Sequence, residues 1–297
     1  VSAVGASRID PLTGIELRRT EAIGVEIRRL VARAARWQAL RAKANADKRL
    51  AIIYYNHPPG RQNIGADNLD VPASLFAVLQ RLKAEGYDTG ELPASPEALL
   101  DRIMARGVNL PEDKTALQEL ARDVNSVSAA DYRRWFAALP ERVQGEMVSG
   151  PLGRLHAEVL EAEQVGERSV GRKRVESVMK ELHHLAEGAD HPKRQETITG
   201  LKELEAGYRD CLADQPRRRC MSLSSLAWRL AGHGVEGLRG WGQAPGKVMV
   251  ADGKLLVPGL VFGKIFVGPQ PPRGWEVDEE LLHANTSVAP PHQYLAF

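Results

Sequence analysis

Asn56, His57, Arg61, Asn63, Asp67, Asn68 and Asp70 crowd into one short stretch around Pro58-Pro59-Gly60. That span holds a titratable imidazole, a guanidinium and two carboxylates. These are the groups of proton transfer and of charge recognition, and they equally suit a well-hydrogen-bonded structural loop. A second set lies far along the chain: Arg273 and Glu276, with His283 and His292 downstream. Imidazoles and a carboxylate can take a proton or touch a divalent metal. Isolated histidines also serve as satisfied surface or core residues, and no zinc spacing is present.

Other candidates are weaker. His183-His184 with His191 read as exposed histidines near a turn. Gly242-Gln-Ala-Pro-Gly246-Lys247-Val248 resembles a phosphate loop. Its first spacing is too short, however, and no Ser or Thr follows the lysine, so ATP binding is rejected here. Arg217-Arg218-Arg219 is a small basic patch, suited to an acidic partner or a carboxylate, or else a solvated connection between helices. Cys211 and Cys220 are too few for a disulfide framework or a zinc site, and they read as reduced thiols.

These groups need elements to hold them. Arg49-Leu-Ala-Ile-Ile-Tyr-Tyr55 is a short, β-rich apolar run that suits a buried strand of a parallel sheet. Asn56-His57-Pro58-Pro59-Gly60 cannot extend it, because proline removes backbone donors and glycine admits positive φ. After a polar loop, Leu75, Val78, Leu79 and Leu82 mark a helix closed by Gly86. Strand, long loop, helix is the opening of an α/β unit, and ligands of such sheets sit beyond the carboxyl ends of strands.

Residues 16–46, rich in Arg, Ala and Leu, predict one or two helices. Ser95-Pro96 caps a helix through Leu99, Leu100, Ile103 and Met104. Ser128-Ala-Ala-Asp131 is a capping box, followed by a Tyr132, Trp135, Phe136, Leu139 stripe that reads as core. Val175, Val178, Leu182 and Leu185, then Leu201, Leu204, Tyr208 and Cys211, predict an antiparallel helical hairpin across Gly188–Pro192. Asp252-Gly253 between two β-rich runs predicts a hairpin, and Phe262–Val267 a further strand. The fold class is therefore α/β: strand–loop–helix units over 1–160, an inserted helical hairpin over 161–232, and a β-rich part over 233–297.

The chain has 297 residues, 43% of them hydrophobic and 26% charged, with a formal net charge of +2. That charge makes no general trap for nucleic acid, and no apolar run approaches a membrane span. No secretory leader is evident, so a cytoplasmic location is expected. Val1 and the apolar Tyr294-Leu-Ala-Phe297 read as cut ends of a longer protein.

Three long strings carry a family resemblance: Tyr54 through Leu75, Phe262 through Glu276, and Pro290 through Phe297. They resemble the CobN-type large subunit of aerobic cobaltochelatase and, more distantly, the large subunit of magnesium chelatase. Weaker similarity, as at Gly107-Val-Asn-Leu-Pro-Glu-Asp113, joins them, and the 161–232 stretch matches least. The resemblance implies an internal piece of an ATP-dependent chelatase subunit. Such a subunit binds the tetrapyrrole and the metal, with Co²⁺ as the substrate metal and a hydrogenobyrinic acid diamide as the macrocycle. Magnesium chelation, or a non-catalytic tetrapyrrole scaffold, are the alternatives. ATP and Mg²⁺ would be bound by partner subunits of the AAA+ type and not by this chain. Insertion strips protons from the ring nitrogens as the ion sheds water, so a base and a metal-orienting ligand are expected. The roles assigned on that basis are His57, Glu276 and His292 in catalysis, and His57, His283 and His292 on the metal. Asn56, Arg61, Asn63, Asp67, Asn68 and Arg273 would bind the macrocycle, the arginines through its carboxylates.

Overall fold

The computed structural model describes residues 2–66, 68–111, 113–275 and 288–297. The chain forms two compact units, one of Val1–Leu50, Leu79–Leu92 and Phe262–Ile265, the other of Ala51–Val78, Pro93–Val261 and Phe266–Phe297. Among the described residues no helix is long and apolar enough to cross a membrane.

The first unit opens with an antiparallel hairpin, β1 (Ser2–Ile9) and β2 (Glu16–Ala22), with Ile9 opposite Glu16. The helix expected from residue 16 thus begins only at α1 (Gly24–Ala42). Turn chemistry overrides the Arg/Leu/Ala spacing there. Asp10 Oδ1 accepts from Leu12 N at 2.8 Å, and Gly14 takes φ +68°, a conformation that glycine adopts without a Cβ clash. α1 buries no residue, and Ile27, Leu30, Val31 and Trp37 on it are exposed. Its helicity rests on the propensity of Ala, Arg and Leu.

The strand–loop–helix opening forms, but its strand is not the buried one expected: Tyr54 is buried, whereas Ala51 and Ile53 are exposed. β3 (Leu50–Tyr54) runs into a loop, and α2 (Val71–Ala84) follows, with Asp70 Oδ1 accepting from Ala73 N at 2.9 Å as its cap. The run Phe262–Val267 is two strands, β7 (Leu260–Phe262) and β8 (Ile265–Pro269), joined at Gly263-Lys264. The sheet order is β3-β8-β7. Leu50 N donates to Lys264 O and Gln270 N donates to Tyr54 O, so β3 and β8 run parallel. Their carboxyl ends therefore lead into two loops on one edge, 55–66 and 270–275.

The second sheet is antiparallel, in the order β4 (Asn125–Ser128), β6 (Lys254–Val257), β5 (Val250–Ala251). Its hairpin turns at Asp252 (φ +49°) and Gly253 (φ +71°), as Asp-Gly predicts. Ser95 caps α3 (Pro96–Arg106), Asp113 caps α4 (Lys114–Leu120) and Ser128 caps α5 (Ala129–Ala137). Tyr132 and Phe136 are core as expected, whereas Trp135 is exposed. α6 (Glu141–Gln164) breaks at Gly150 (φ +68°), just before Pro151. A Cβ on Gly150 would lie 2.3 Å from the Arg239 carbonyl carbon, so glycine lets residues 238–242 run against the break. Trp241 N there donates to Met147 O at 2.7 Å.

α7 (Arg168–Glu187) and α8 (Arg194–Cys211) are the antiparallel hairpin, packed with the second half of α6 and with α9 (Ser224–Gly232). Val175, Val178, Leu182, Leu185, Leu201, Leu204 and Tyr208 all lie in their shared core. Cys211 and Cys220 form a disulfide within it, with Cα atoms 5.1 Å apart, which corrects the reduced-thiol reading. A cysteine count weighs frameworks and compartments; it does not see that the chain after α8 doubles back onto its own helix end. Arg218 pairs with Asp210 and Arg219 with Glu163, so two members of the basic triplet are spent inside the chain.

His156 on α6 is buried, with Nδ1 2.8 Å from the Tyr208 hydroxyl and Nε2 2.9 Å from Ser224 Oγ. Burial depresses its pKa below the ordinary 6.5. The unfolded chain then binds the proton more readily. Stability is held above about pH 6.5 and declines as pH falls through the unfolded value toward the folded one, by at most about 1.4 kcal/mol per pH unit for one proton. Denaturant titrations between pH 7.5 and 5 should show this slope, and His156→Gln should make it shallower.

Candidate functional site

The site gathers where β3 and β8 end, around a buried cluster of amides. Asn56 is 1% exposed, and its Nδ2 donates to the carbonyls of Gly60 and Asn63, both at 2.9 Å. A carbonyl only accepts, so this fixes the amide orientation, and Oδ1 receives Asn109 N at 2.8 Å. Asn109 is fully buried, and its Nδ2 donates to Gln270 O at 2.9 Å. Its Oδ1 accepts from Gln293 Nε2 at 2.9 Å. Gln293 opens the last short helix, α10 (His292–Ala296). One asparagine thus ties the loop after β3, the segment after β8 and the C-terminal segment together.

This cluster sets His57. Its Nε2 lies 3.2 Å from Gly274 O. A carbonyl only accepts, so Nε2 carries the proton in that contact. His57 lines a cavity of about 290 Å³ with Tyr55, Gln62, Asn63, Ile64, Gly65 and Ala66. It also lines a cleft of about 10 Å³ with Tyr55, Asn56, Gln270, Pro271, Pro272 and Arg273. A third cavity, about 260 Å³, is walled by Pro58, Pro59, Asn109, Leu110, Pro111, Asp113 and Trp275. The loop after β3 therefore borders all three hollows, with proline and indole surfaces in one and an imidazole with a phenol in the others. The two larger hollows approach the lower end of the usual ligand-cavity range, about 300 Å³.

The expected site residues sort as follows. His57, Asn63 and Arg273 line these hollows. Asn56 is a buried support. Arg61 is exposed, and its Nη1 donates to Met104 O at 2.6 Å, tying the loop to the end of α3. Asn68 is exposed. Asp67, Glu276 and His283 lie outside the described residues. His292 takes another place than expected. It is 1% exposed, its Nε2 donates to Gly242 O at 2.9 Å, and its Nδ1 accepts from the Tyr132 hydroxyl at 2.9 Å. Both ring nitrogens are committed to protein, and burial lowers its pKa, so it serves as a neutral structural histidine. The loop 242–246 that resembled a phosphate loop is its cradle. Among the described residues no group of three or more His, Cys, Asp or Glu side chains stands ready to hold a metal ion.

The residue pattern does not single out Asn109, Gln293 or Glu236. Glu236 is 5% exposed and its carboxyl Oε2 accepts from Trp275 N at 2.7 Å, which fixes the end of the 270–275 segment. Asn109 and Gln293 do lie inside strings that carry the resemblance, which was the available signal.

The CobN/Magnesium Chelatase family model matches residues 2–169 and 235–297. The chain belongs to the CobN/magnesium chelatase family. Both flanks of the site fall within the matched residues, while 170–234, most of the α7–α9 bundle, fall outside. The aerobic cobaltochelatase subunit CobN of Pseudomonas aeruginosa is 25% identical over 265 residues, 89% of this chain and 14% of that protein. A magnesium-chelatase subunit of Chlorobaculum parvum is 38% identical over 87 residues, 29% of this chain and 7% of that protein. The catalytic subunit of cobaltochelatase from Mycobacterium tuberculosis superposes with a TM-score of 0.47 and 21% identity, over 98% of this chain and 16% of that one. The chain thus spans a small part of the length of the family members it matches.

Proposed function

We propose that this chain forms part of the tetrapyrrole-binding wall of a cobaltochelatase large subunit, which inserts Co²⁺ into hydrogenobyrinic acid a,c-diamide. The observation that carries the reading is the amide cluster at Asn109. Its contacts hold the loop after β3, its own segment and the segment after β8, far apart in sequence, at the lining of neighbouring hollows. Chelatases are the enzymes of this family, and a macrocycle is the substrate that such a lining suits. In this reading His57 takes a proton from a ring nitrogen or steadies the incoming ion as it sheds water. Arg273 holds a peripheral carboxylate, and Arg61 holds the loop to α3 while its remaining N–H groups face outward. Asn63 and Asn68 offer polar contacts at the rim. Glu276, His283 and Asp67 stay candidates for the same surface. The energy comes from ATP and Mg²⁺ on partner subunits of the AAA+ type, in the cytoplasm.

The cobalt assignment is favoured because the match to the cobaltochelatase subunit runs through 89% of the chain, against 29% for the magnesium subunit. The test is reconstitution of the full-length protein with its ATPase partners, offering Co²⁺ with a hydrogenobyrinic acid diamide and Mg²⁺ with protoporphyrin. Cobalt insertion is expected. Magnesium insertion alone would move the chain to the other branch. Binding of a macrocycle without insertion of either metal would make it a scaffold.

A further inference from the structure

Two tyrosines stand side by side at the end of β3, and the fold treats them differently. Tyr54 is buried, and its hydroxyl donates to Gly107 O. Tyr55 lines both hollows beside His57, its ring centroid 5.9 Å from the imidazole's. Its hydroxyl oxygen is closed off from bulk solvent and has no hydrogen-bond partner among the described residues.

A phenol buried without a partner is destabilising relative to the same ring without the hydroxyl. Phenylalanine would fill the space equally well, so folding gives no reason for this oxygen. Buried polar atoms in native proteins nearly always have partners, and an exception beside a cavity is accounted for by a ligand that supplies one. The hydroxyl belongs to a residue that lines the His57 cavity, and Arg273 lines the adjoining cleft with its positive charge. An O–H donor near a guanidinium matches an oxygen acceptor.

Building on the chelatase reading above, we propose that Tyr55 is a substrate-contacting residue. Its hydroxyl donates to a carboxylate or amide oxygen on the rim of the bound tetrapyrrole. His57 and Tyr55 then address one ligand from one wall, the first at the ring nitrogens and the second at the periphery.

The experiment compares Tyr55→Phe with Tyr54→Phe in the full-length protein. It uses denaturant unfolding and absorbance titration with hydrogenobyrinic acid a,c-diamide. Tyr55→Phe should leave the unfolding midpoint unchanged or raised, and weaken macrocycle affinity about tenfold. Tyr54→Phe should lower the midpoint, because it strands the Gly107 carbonyl. A purely structural Tyr55 would give the opposite pair: a lowered midpoint and unchanged affinity. Unchanged midpoint with unchanged affinity would mean that the hydroxyl meets only water, and would overturn the proposal. If the wild type itself fails to bind the macrocycle, the chelatase reading falls and this contact falls with it. A wild type that binds alongside an unaffected Tyr55→Phe overturns the contact alone.

Discussion

Replacing His57 with alanine should lower metal-insertion turnover by about a hundredfold or more, while macrocycle affinity stays within about threefold of wild type. The magnitude is that of a positioned proton acceptor, typically about 10²–10⁴ in rate. The split follows from geometry. The imidazole is positioned by its Nε2 contact with the Gly274 carbonyl at 3.2 Å, and it lines the cavity beside Asn63. In the proposed pose the ring contributes little area to a macrocycle held mainly by flat walls and peripheral contacts. Loss of the Gly274 contact should cost about 1 kcal/mol of stability, which does not unfold the site. Single-turnover insertion assays with the ATPase partners, beside absorbance titrations of the macrocycle, separate the two quantities. Unchanged turnover would remove His57 from the chemistry, and a parallel collapse of affinity would make it a binding residue instead.

The second large effect is expected at Asn109. Leucine at this position strands the Gln270 carbonyl and the Gln293 amide, both partnered by Asn109 in the buried cluster. Each unsatisfied buried group costs about 1–3 kcal/mol, so destabilisation of roughly 2–5 kcal/mol is expected. Aspartate is the informative companion. An ionised carboxylate still accepts from Gln293 but sets an oxygen against the Gln270 carbonyl, where a donor is required. Asn109→Asp should therefore be destabilised at neutral pH and partly recover as pH falls, when the protonated carboxyl can donate to Gln270 O. Denaturant unfolding at two pH values checks the sign. Equal stability of the leucine variant and wild type would show that Asn109 does not hold the segments together.

How much of this was legible in the sequence depended on the range of the forces involved. The strand before Asn56, the caps at Ser95 and Ser128 and the Asp252-Gly253 turn all rest on residues within a few positions of one another, and all form, although the strand is less buried than its apolar run suggests. The hairpin of β1 and β2 was hidden under Arg-, Ala- and Leu-rich spacing, because the decisive signal was the single turn between Asp10 and Gly14. β4 is four residues of Asn, Ser and Val, too short and polar to announce itself; its partner β6 is far downstream. The loop around His57 could be placed at a strand's end from composition, but its support could not. Asn109 meets partners 161 and 184 residues away, and nothing local in Val108-Asn109-Leu110 says that its amide will be a hub. His292 illustrates the same limit from the other side. Residue type suggested a ligand, whereas the Tyr132 hydroxyl and Gly242 carbonyl claim both nitrogens.

The central claim is that the ends of β3 and β8, keyed through Asn109, form the surface on which the macrocycle rests. Hydrogen–deuterium exchange of the full-length protein, with and without a bound corrin precursor, tests it most directly. Slowed exchange is expected at residues 55–66, 107–111 and 270–275 together. Slowed exchange confined to the helical bundle of α7, α8 and α9, with those three segments unchanged, would contradict it.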